Sequence, residues 1–202
     1  MHIDLSALEP AEVYATMTQV IVPRPVAWVL SDDGQGGWNL APYSYFNAIS
    51  SDPPMIVLSL GRKPDGSVKD TRANLVARGD FVVHVPHREL AEAVTASAAT
   101  LPRGVSEVTA LELETLPMPG SRVPRLAACR VALACSHVET HEIGRQAVVF
   151  ARVHHVHVDD ALVGEDAKGR PKVLADRLDP IGRLGGGEYL VGGDIVSIAR
   201  PD

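Results

Sequence analysis

Along most of this chain the hydrophobic and polar positions alternate in short runs, and helical spacing is confined to a few stretches. Apolar runs over residues 25–30, 38–46, 55–60 and 81–86 are bounded by glycine, proline, aspartate or serine and predict extended strands. Two longer runs, 126–143 and 146–159, predict a strand pair joined as a hairpin at Gly144-Arg145. Residues 31–37, Ser-Asp-Asp-Gly-Gln-Gly-Gly, predict a turn that folds the chain back, and residues 61–66 a loop. Glu9-Pro10 opens a short helix, because proline in a first turn gives up no hydrogen bond. Residues 70–77 predict a second helix ended by Gly79, and the alanine-rich residues 88–99 a third. Residues 100–124, with four prolines and two glycines, lack periodicity and read as a long, lid-like loop with one turn of helix. The tail from residue 161 is loop-rich, with a final strand expected near 194–199.

Many strands, short turns and few helices predict a mainly β fold, an antiparallel, Greek-key-like barrel with a few peripheral helices. Neither a strand–helix alternation nor a Gly-x-Gly-x-x-Gly after a first strand is present, which excludes a doubly wound nucleotide-binding sheet. At 202 residues and 46% hydrophobic, the chain suits one domain spanning 1–202 with a full-sized core. A net charge of −6 argues against nucleic-acid or anionic-membrane partners, so any phosphate site must be a local positive pocket. The first residues form no signal peptide and no run reaches the ~18 apolar residues of a membrane span, which points to the cytoplasm. Cys129 and Cys135, read on one strand, share a face but lie ~20 Å apart, too far to bridge. They read as two buried thiols of a reducing compartment.

Candidate chemistry concentrates in two places. Residues 39–54 are rich in small polar and aromatic side chains, bend at Pro42 and stop at Pro53-Pro54. Lys69, Asp70 and Thr71 place a cation, an acid and a hydroxyl where a helix begins, and a helix N-terminus favours phosphate. An ordinary capped surface helix is the alternative reading of that triplet. Ser44, Asn47 and backbone amides offer hydrogen bonds to a ring's edge, while Tyr43 or Phe46 offers apolar contact to its face. Strand alternation puts Ser44, Phe46 and Ala48 on one side and Tyr43, Tyr45 and Asn47 on the other, so only some can line one pocket. Donors, aromatic surface and a helix N-terminus together suit a flat-ringed ligand carrying a phosphate. Arg183-Leu-Gly-Gly-Gly-Glu-Tyr189 allows close backbone approach to such a ligand or forms a surface turn. His137, Glu139 and His141, opposite His155 and His157, give a metal-dependent barrel enzyme as a competing reading. Alternation puts His137, Glu139 and His141 on one face, but strand residues four apart are ~13 Å apart, which weighs against one ion and favours solvated histidines on an exposed face or at a dimer seam. No Gly-x-Ser-x-Gly elbow or Cys/His signature appears.

Arg24-Pro-Val-Ala-Trp28, the 39–54 stretch, Lys69-Asp-Thr71 and the Arg183–Tyr189 element, in this order, resemble the flavin reductase-like proteins with an FMN-binding split β-barrel. The resemblance spans roughly residues 22–193. It implies non-covalent FMN bound by Ser44, Phe46, Asn47, Ala48, Lys69, Asp70, Thr71, Arg183 and Gly185, with no separate catalytic side chain. It further implies NADH or NADPH as hydride donor to flavin, a homodimer, and an oxygenase partner receiving reduced flavin. A non-catalytic FMN electron carrier would share the same residues. His84 departs from the pattern, standing where the family often carries asparagine.

Overall fold

The computed structural model describes residues 1–102 and 104–198. Seven strands form its main sheet: β1 (Ala27–Asp32), β2 (Trp38–Tyr43), β3 (Phe46–Ser51), β4 (Pro54–Leu60), β5 (Asp80–His84), β6 (Val131–Ile143) and β7 (Gln146–Val158). Their order is β2-β1-β5-β6-β7-β4-β3, every neighbouring pair antiparallel. The edge strands β2 and β3 are consecutive in the chain, and only Ser44 and Tyr45 connect them. Two residues reach ~10 Å at most. The sheet must therefore roll until its edges meet at that point, and Ser59 N donates to Tyr45 O (2.8 Å) to fix the connector on β4. The expected mainly β, antiparallel architecture is what the chain adopts.

Period-two patterning decides which side chains enter the rolled sheet. Ala27 and Val29 of β1, Ile56, Leu58 and Leu60 of β4, Phe81 and Val83 of β5, and Val149 and Ala151 of β7 form the interior cluster. The intervening Trp28, Leu30 and Val82 face outward, yet they are buried by a second cluster that includes Val94, Val108, Met118 and Val123. That burial on both faces explains the unbroken apolar run of β1. Helix α1 (Pro10–Val20) starts with Pro10 in its first turn. Helix α2 (Asp70–Arg78) sends Leu75 into the interior cluster and ends at Gly79, whose φ of 80° suits glycine. A short 3-10 turn leads into α3 (Ala91–Ala96), where one longer helix was expected. Arg24–Pro25, Gly182–Arg183 and Tyr189–Leu190 form a small separate sheet.

Several expectations are corrected. The segment read as a lid holds the expected helical turn, at Glu107–Ala110, but over residues 104–124 it is no lid: Val108, Met118 and Val123 are buried and cover the outer sheet face. The 38–46 run breaks at Tyr43, with Ser44-Tyr45 as connector rather than strand. Cys129 precedes β6 and packs in the outer cluster, whereas Cys135 packs inside, so the two do not share a face. Both are free and buried, and burial pushes each thiol up to about 12. Residues 194–198 form no strand, and Ala199 lies outside the described residues. The hairpin is as expected: Ile143 pairs with Gln146, and of the two loop residues only Gly144 has positive φ, the pattern of a type II′ turn. Its ladder shifts register between Phe150 and Ala151, leaving Val138 unpaired and turning His137 to the face opposite Glu139. Among the described residues no three His, Cys, Asp or Glu side chains come together as a metal site.

His84 is fully buried between the cluster and the 125–126 segment. Its Nε2 accepts from Leu126 N (2.9 Å), so the proton sits on Nδ1 and donates to Trp28 O (3.0 Å). Burial, helped by Arg125 and His157 and opposed by the Trp28 carbonyl, pushes its pKa down to about 4. Between pH 6.5 and 4 the unfolded chain holds a proton the folded chain lacks, so stability falls as pH falls through that window, by roughly 3 kcal/mol. Thermal unfolding followed from pH 7 to 4 should show this loss in the native protein and a slope shallower by about one proton in His84→Gln. Equal slopes for the two proteins would contradict the assignment.

Candidate functional site

Arg24 opens the site. Its side chain is buried, and it points between α1 and the C-terminal hairpin. Nη1 donates to Thr18 O (2.6 Å) and Ile21 O (2.7 Å), carbonyls at the end of α1 where the helix dipole is negative. Nη2 donates to Leu184 O (2.8 Å) and Nε to Ser44 Oγ (3.4 Å). One guanidinium thus joins three chain segments at the seam where the barrel closes. Among the described residues no carboxylate pairs with it.

A cleft of about 280 Å³ lies over that seam. Pro42, Tyr43, Ser44 and Tyr45 come from the β2–β3 connection, Ser59 from β4, Lys69 from the start of α2, and Gln146 from the start of β7. Thr95 of α3, Ala98 just after it, and Arg183 and Tyr189 of the C-terminal hairpin complete a wall. Arg183 stacks on the Tyr189 ring at 4.6 Å, and Thr95 Oγ1 donates to Tyr189 Oη (3.1 Å). Lys69 is held 5.3 Å from the Tyr43 ring centroid. Burial, with Lys63 nearby, holds its ammonium below the usual range. Asp70 is taken by Lys63 at 2.7 Å. Among the described residues no ion pair engages Lys69, Arg62 or Arg183, so three cations of an acidic protein face this cleft uncompensated. The first-turn amides of α2 have no intrahelical acceptors, and they add a fourth source of positive potential. The Tyr43 hydroxyl is buried with no hydrogen bond of ordinary geometry, and burial raises its pKa against the opposing influence of the nearby Thr71 hydroxyl.

Of the residues expected at a ligand, Ser44, Lys69 and Arg183 meet in this cleft. Asp70 lines an adjoining chamber. Thr71 is buried behind the helix start, its Oγ1 accepting from Asn39 Nδ2 (2.8 Å). Phe46 packs against the interior cluster. Asn47 and Ala48 lie exposed on the edge strand β3, and Asn47 Oδ1 is occupied by the Ala48 amide (2.9 Å). Gly185 sits in a separate groove against α1, where Gln19 Cγ would be 2.6 Å from an added Cβ. Arg62, Gln146 and Tyr14 were not singled out from the sequence, yet they line the cleft. Only Arg62 carried a signal there, as a cation two residues past a strand end.

Residues 17–176 match the family model of the flavin reductase like domain. Nitrilotriacetate monooxygenase component B from Bacillus cereus superimposes with a TM-score of 0.88 at 31% identity, over 98% of each chain. The 2-nitrobenzoate 2-nitroreductase of Pseudomonas fluorescens gives 0.88 at 29%, over 100% of this chain and 96% of that one. A split barrel domain protein from Shewanella frigidimarina gives 0.84 at 19%, over 100% of both. The fold is accordingly the flavin reductase-like split barrel.

Arg24→Met removes the guanidinium donors at the seam and leaves the Thr18, Ile21 and Leu184 carbonyls short of partners. An expected loss of about 3–5 kcal/mol follows from unsatisfied buried groups of this kind. Chemical denaturation measures it directly. A midpoint equal to that of the native protein would show that other contacts hold the seam.

Proposed function

The chain belongs to the flavin reductase-like family, and from that membership we propose that it is an FMN-binding oxidoreductase using NADH or NADPH to reduce flavin. The observation that supports this reading best is the cleft at the seam, where tyrosines and hydrogen-bonding side chains adjoin three uncompensated cations and a helix N-terminus. Bound FMN would supply the redox chemistry, taking a hydride from a nicotinamide. Lys69 and the first-turn amides of α2 hold its phosphate. Ser44, Ser59 and Gln146 present hydrogen-bonding groups to the ring's edge, and Tyr43 and Tyr189 present aromatic surface. These side chains position rather than react, and orientation supplies much of the rate. The likeness to a monooxygenase component supports delivery of reduced flavin to a partner oxygenase, and the likeness to a nitroreductase supports a small organic acceptor instead. Two buried free thiols suit a reducing cytoplasm.

Lys69→Ala tests the site. Loss of a charge-assisted contact worth ~1.5–3 kcal/mol should weaken FMN roughly ten- to over a hundredfold, measured by flavin fluorescence titration. Riboflavin lacks the phosphate and should bind almost unchanged. Equal weakening of both ligands places the phosphate elsewhere. Steady-state NAD(P)H oxidation with added FMN tests the activity, and a protein that binds FMN but oxidises neither nicotinamide is an electron carrier.

A homodimer belongs to the same proposal. Ile49 of the edge strand is 48% exposed beside Asn47 and Ala48, and Tyr14, Val20 and Ile21 are exposed along and beyond α1. Asn47 and Ala48 would then meet a flavin only from across an interface. Light scattering at micromolar concentration should give twice the chain mass of 21.5 kDa. A monomeric mass rules this out.

A further inference from the structure

Past Lys69 the cleft continues into a second chamber of about 480 Å³, larger than the first. Pro42, Arg62, Lys69 and Ala98 line both. A flavin phosphate at Lys69 therefore stands at the junction, with the tyrosine-lined cleft on one side and this chamber on the other. The chamber's own walls have a different chemistry, with no aromatic side chain among them. Pro42, Pro64 and Leu101 give it flat apolar surface. Arg62 and Arg145, the latter at the tip of the β6–β7 hairpin, give it two cations that no ion pair engages among the described residues. Glu107 is buried in the wall, one carboxylate oxygen accepting from Leu40 N (2.9 Å), with acceptor capacity left for an amine.

We infer that this chamber is an adenylate subsite, in which Arg62 and Arg145 hold a phosphate linked to the one at Lys69. Pro42, Pro64 and Leu101 pack a purine there, and Glu107 accepts from its exocyclic amine. The inference rests on the flavin phosphate lying at Lys69. FMN carries a single phosphate and leaves the second cationic pair without a role. Two molecules carry a linked second phosphate with adenosine attached: the dinucleotide form of flavin and a nicotinamide dinucleotide. Both present the same group to the chamber.

Calorimetry on the flavin-free protein with AMP, adenosine and inorganic phosphate tests the subsite. AMP should bind, with adenosine and phosphate each at least about tenfold weaker, because phosphate and base are both recognised. Arg145→Glu should weaken AMP about tenfold or more and change FMN affinity less than about twofold. Two further titrations identify the source. If FAD binds more tightly than FMN, and Arg145→Glu removes that advantage, the subsite serves flavin dinucleotide. If FAD gains nothing but AMP displaces NADH from FMN-loaded protein, it serves the nicotinamide dinucleotide. No AMP binding at millimolar concentration, phosphate competing as well as AMP, or Arg145→Glu leaving AMP unchanged each overturns the inference. Should Lys69→Ala weaken FMN and riboflavin alike, the flavin reading fails, while the AMP and Arg145 results remain separately readable.

Discussion

The two-residue connection at Ser44-Tyr45 is the constraint on which the barrel and the cleft both depend. It joins the two edge strands of a seven-stranded sheet, so the sheet has to roll. Closure brings the end of β2, the end of β4 and the start of β7 to one place, and these are the elements that carry Tyr43, Ser59 and Gln146. Arg24 then sets what lies above the seam. Its guanidinium bonds the end of α1, the carbonyl of Leu184 and Ser44. A buried cation without a carboxylate is tolerable here because backbone carbonyls, two of them at a helix C-terminus, take its donors. The C-terminal hairpin with Arg183 and Tyr189 is thereby held over a cleft formed mainly by residues more than a hundred positions earlier.

Packing on both sides of the sheet makes the seam rigid. The interior cluster fills the roll, and the outer cluster covers its back with α3 and the 106–126 segment. Polar side chains stitch that cover to the sheet. Trp28 Nε1 donates to Ser97 Oγ (2.8 Å), His84 bridges Trp28 O and Leu126 N, and Glu107 accepts from Leu40 N. Each satisfies a buried backbone or ring group that would otherwise cost free energy, and each fixes one register of cover on sheet. Glu107 belongs to both structures, since the helical turn that places it on β2 also sets it in the chamber wall.

The sequence made the inward faces legible wherever alternation was regular. Ile56, Leu58 and Leu60 could be read from spacing alone, and so could the hairpin at Gly144-Arg145. The break after Tyr43 could not, because aromatic and small residues continue through Phe46 without a change of pattern. The 100–124 segment was misread as a lid because Val108, Met118 and Val123 are buried by one short helical turn and irregular chain, which together leave no period to detect. Residues 194–198 carry a strand-like pattern, Asp-Ile-Val-Ser-Ile, but no neighbouring strand pairs with them. At the site, motif order brought out Ser44, Lys69 and Arg183, which do converge. Gln146 went unseen because its place depends on the pairing of β7 with β4, and the one signal at Arg62, a cation just past a strand end, does not say what it faces. The shared face that strand alternation gives His137, Glu139 and His141 fails for a different reason: a bulge at Val138 is not written in residue type, and it reverses the face of His137.

Charge distribution explains why a positive cleft survives on a chain of net charge −6. The cations of α2 and its approach are mostly neutralised: Arg72 pairs with Glu142, Arg78 with Asp32, and Lys63 with Asp70. Among the described residues Arg62 and Lys69 are the exceptions, and Lys69 stands at the helix start. What holds it is the Tyr43 ring, and an aromatic face attracts an ammonium without supplying a counter-charge. A carboxylate in that place would fix the lysine equally well and cancel its field. Burial destabilises the charged form, which is visible in the lowered pKa of Lys69, so an anion entering the cleft relieves a cost already present. The helix amides beside it act in the same direction and cannot titrate away. The net negative charge of the chain disfavours anions elsewhere on the molecule, so affinity concentrates at the seam and in the chamber that adjoins it.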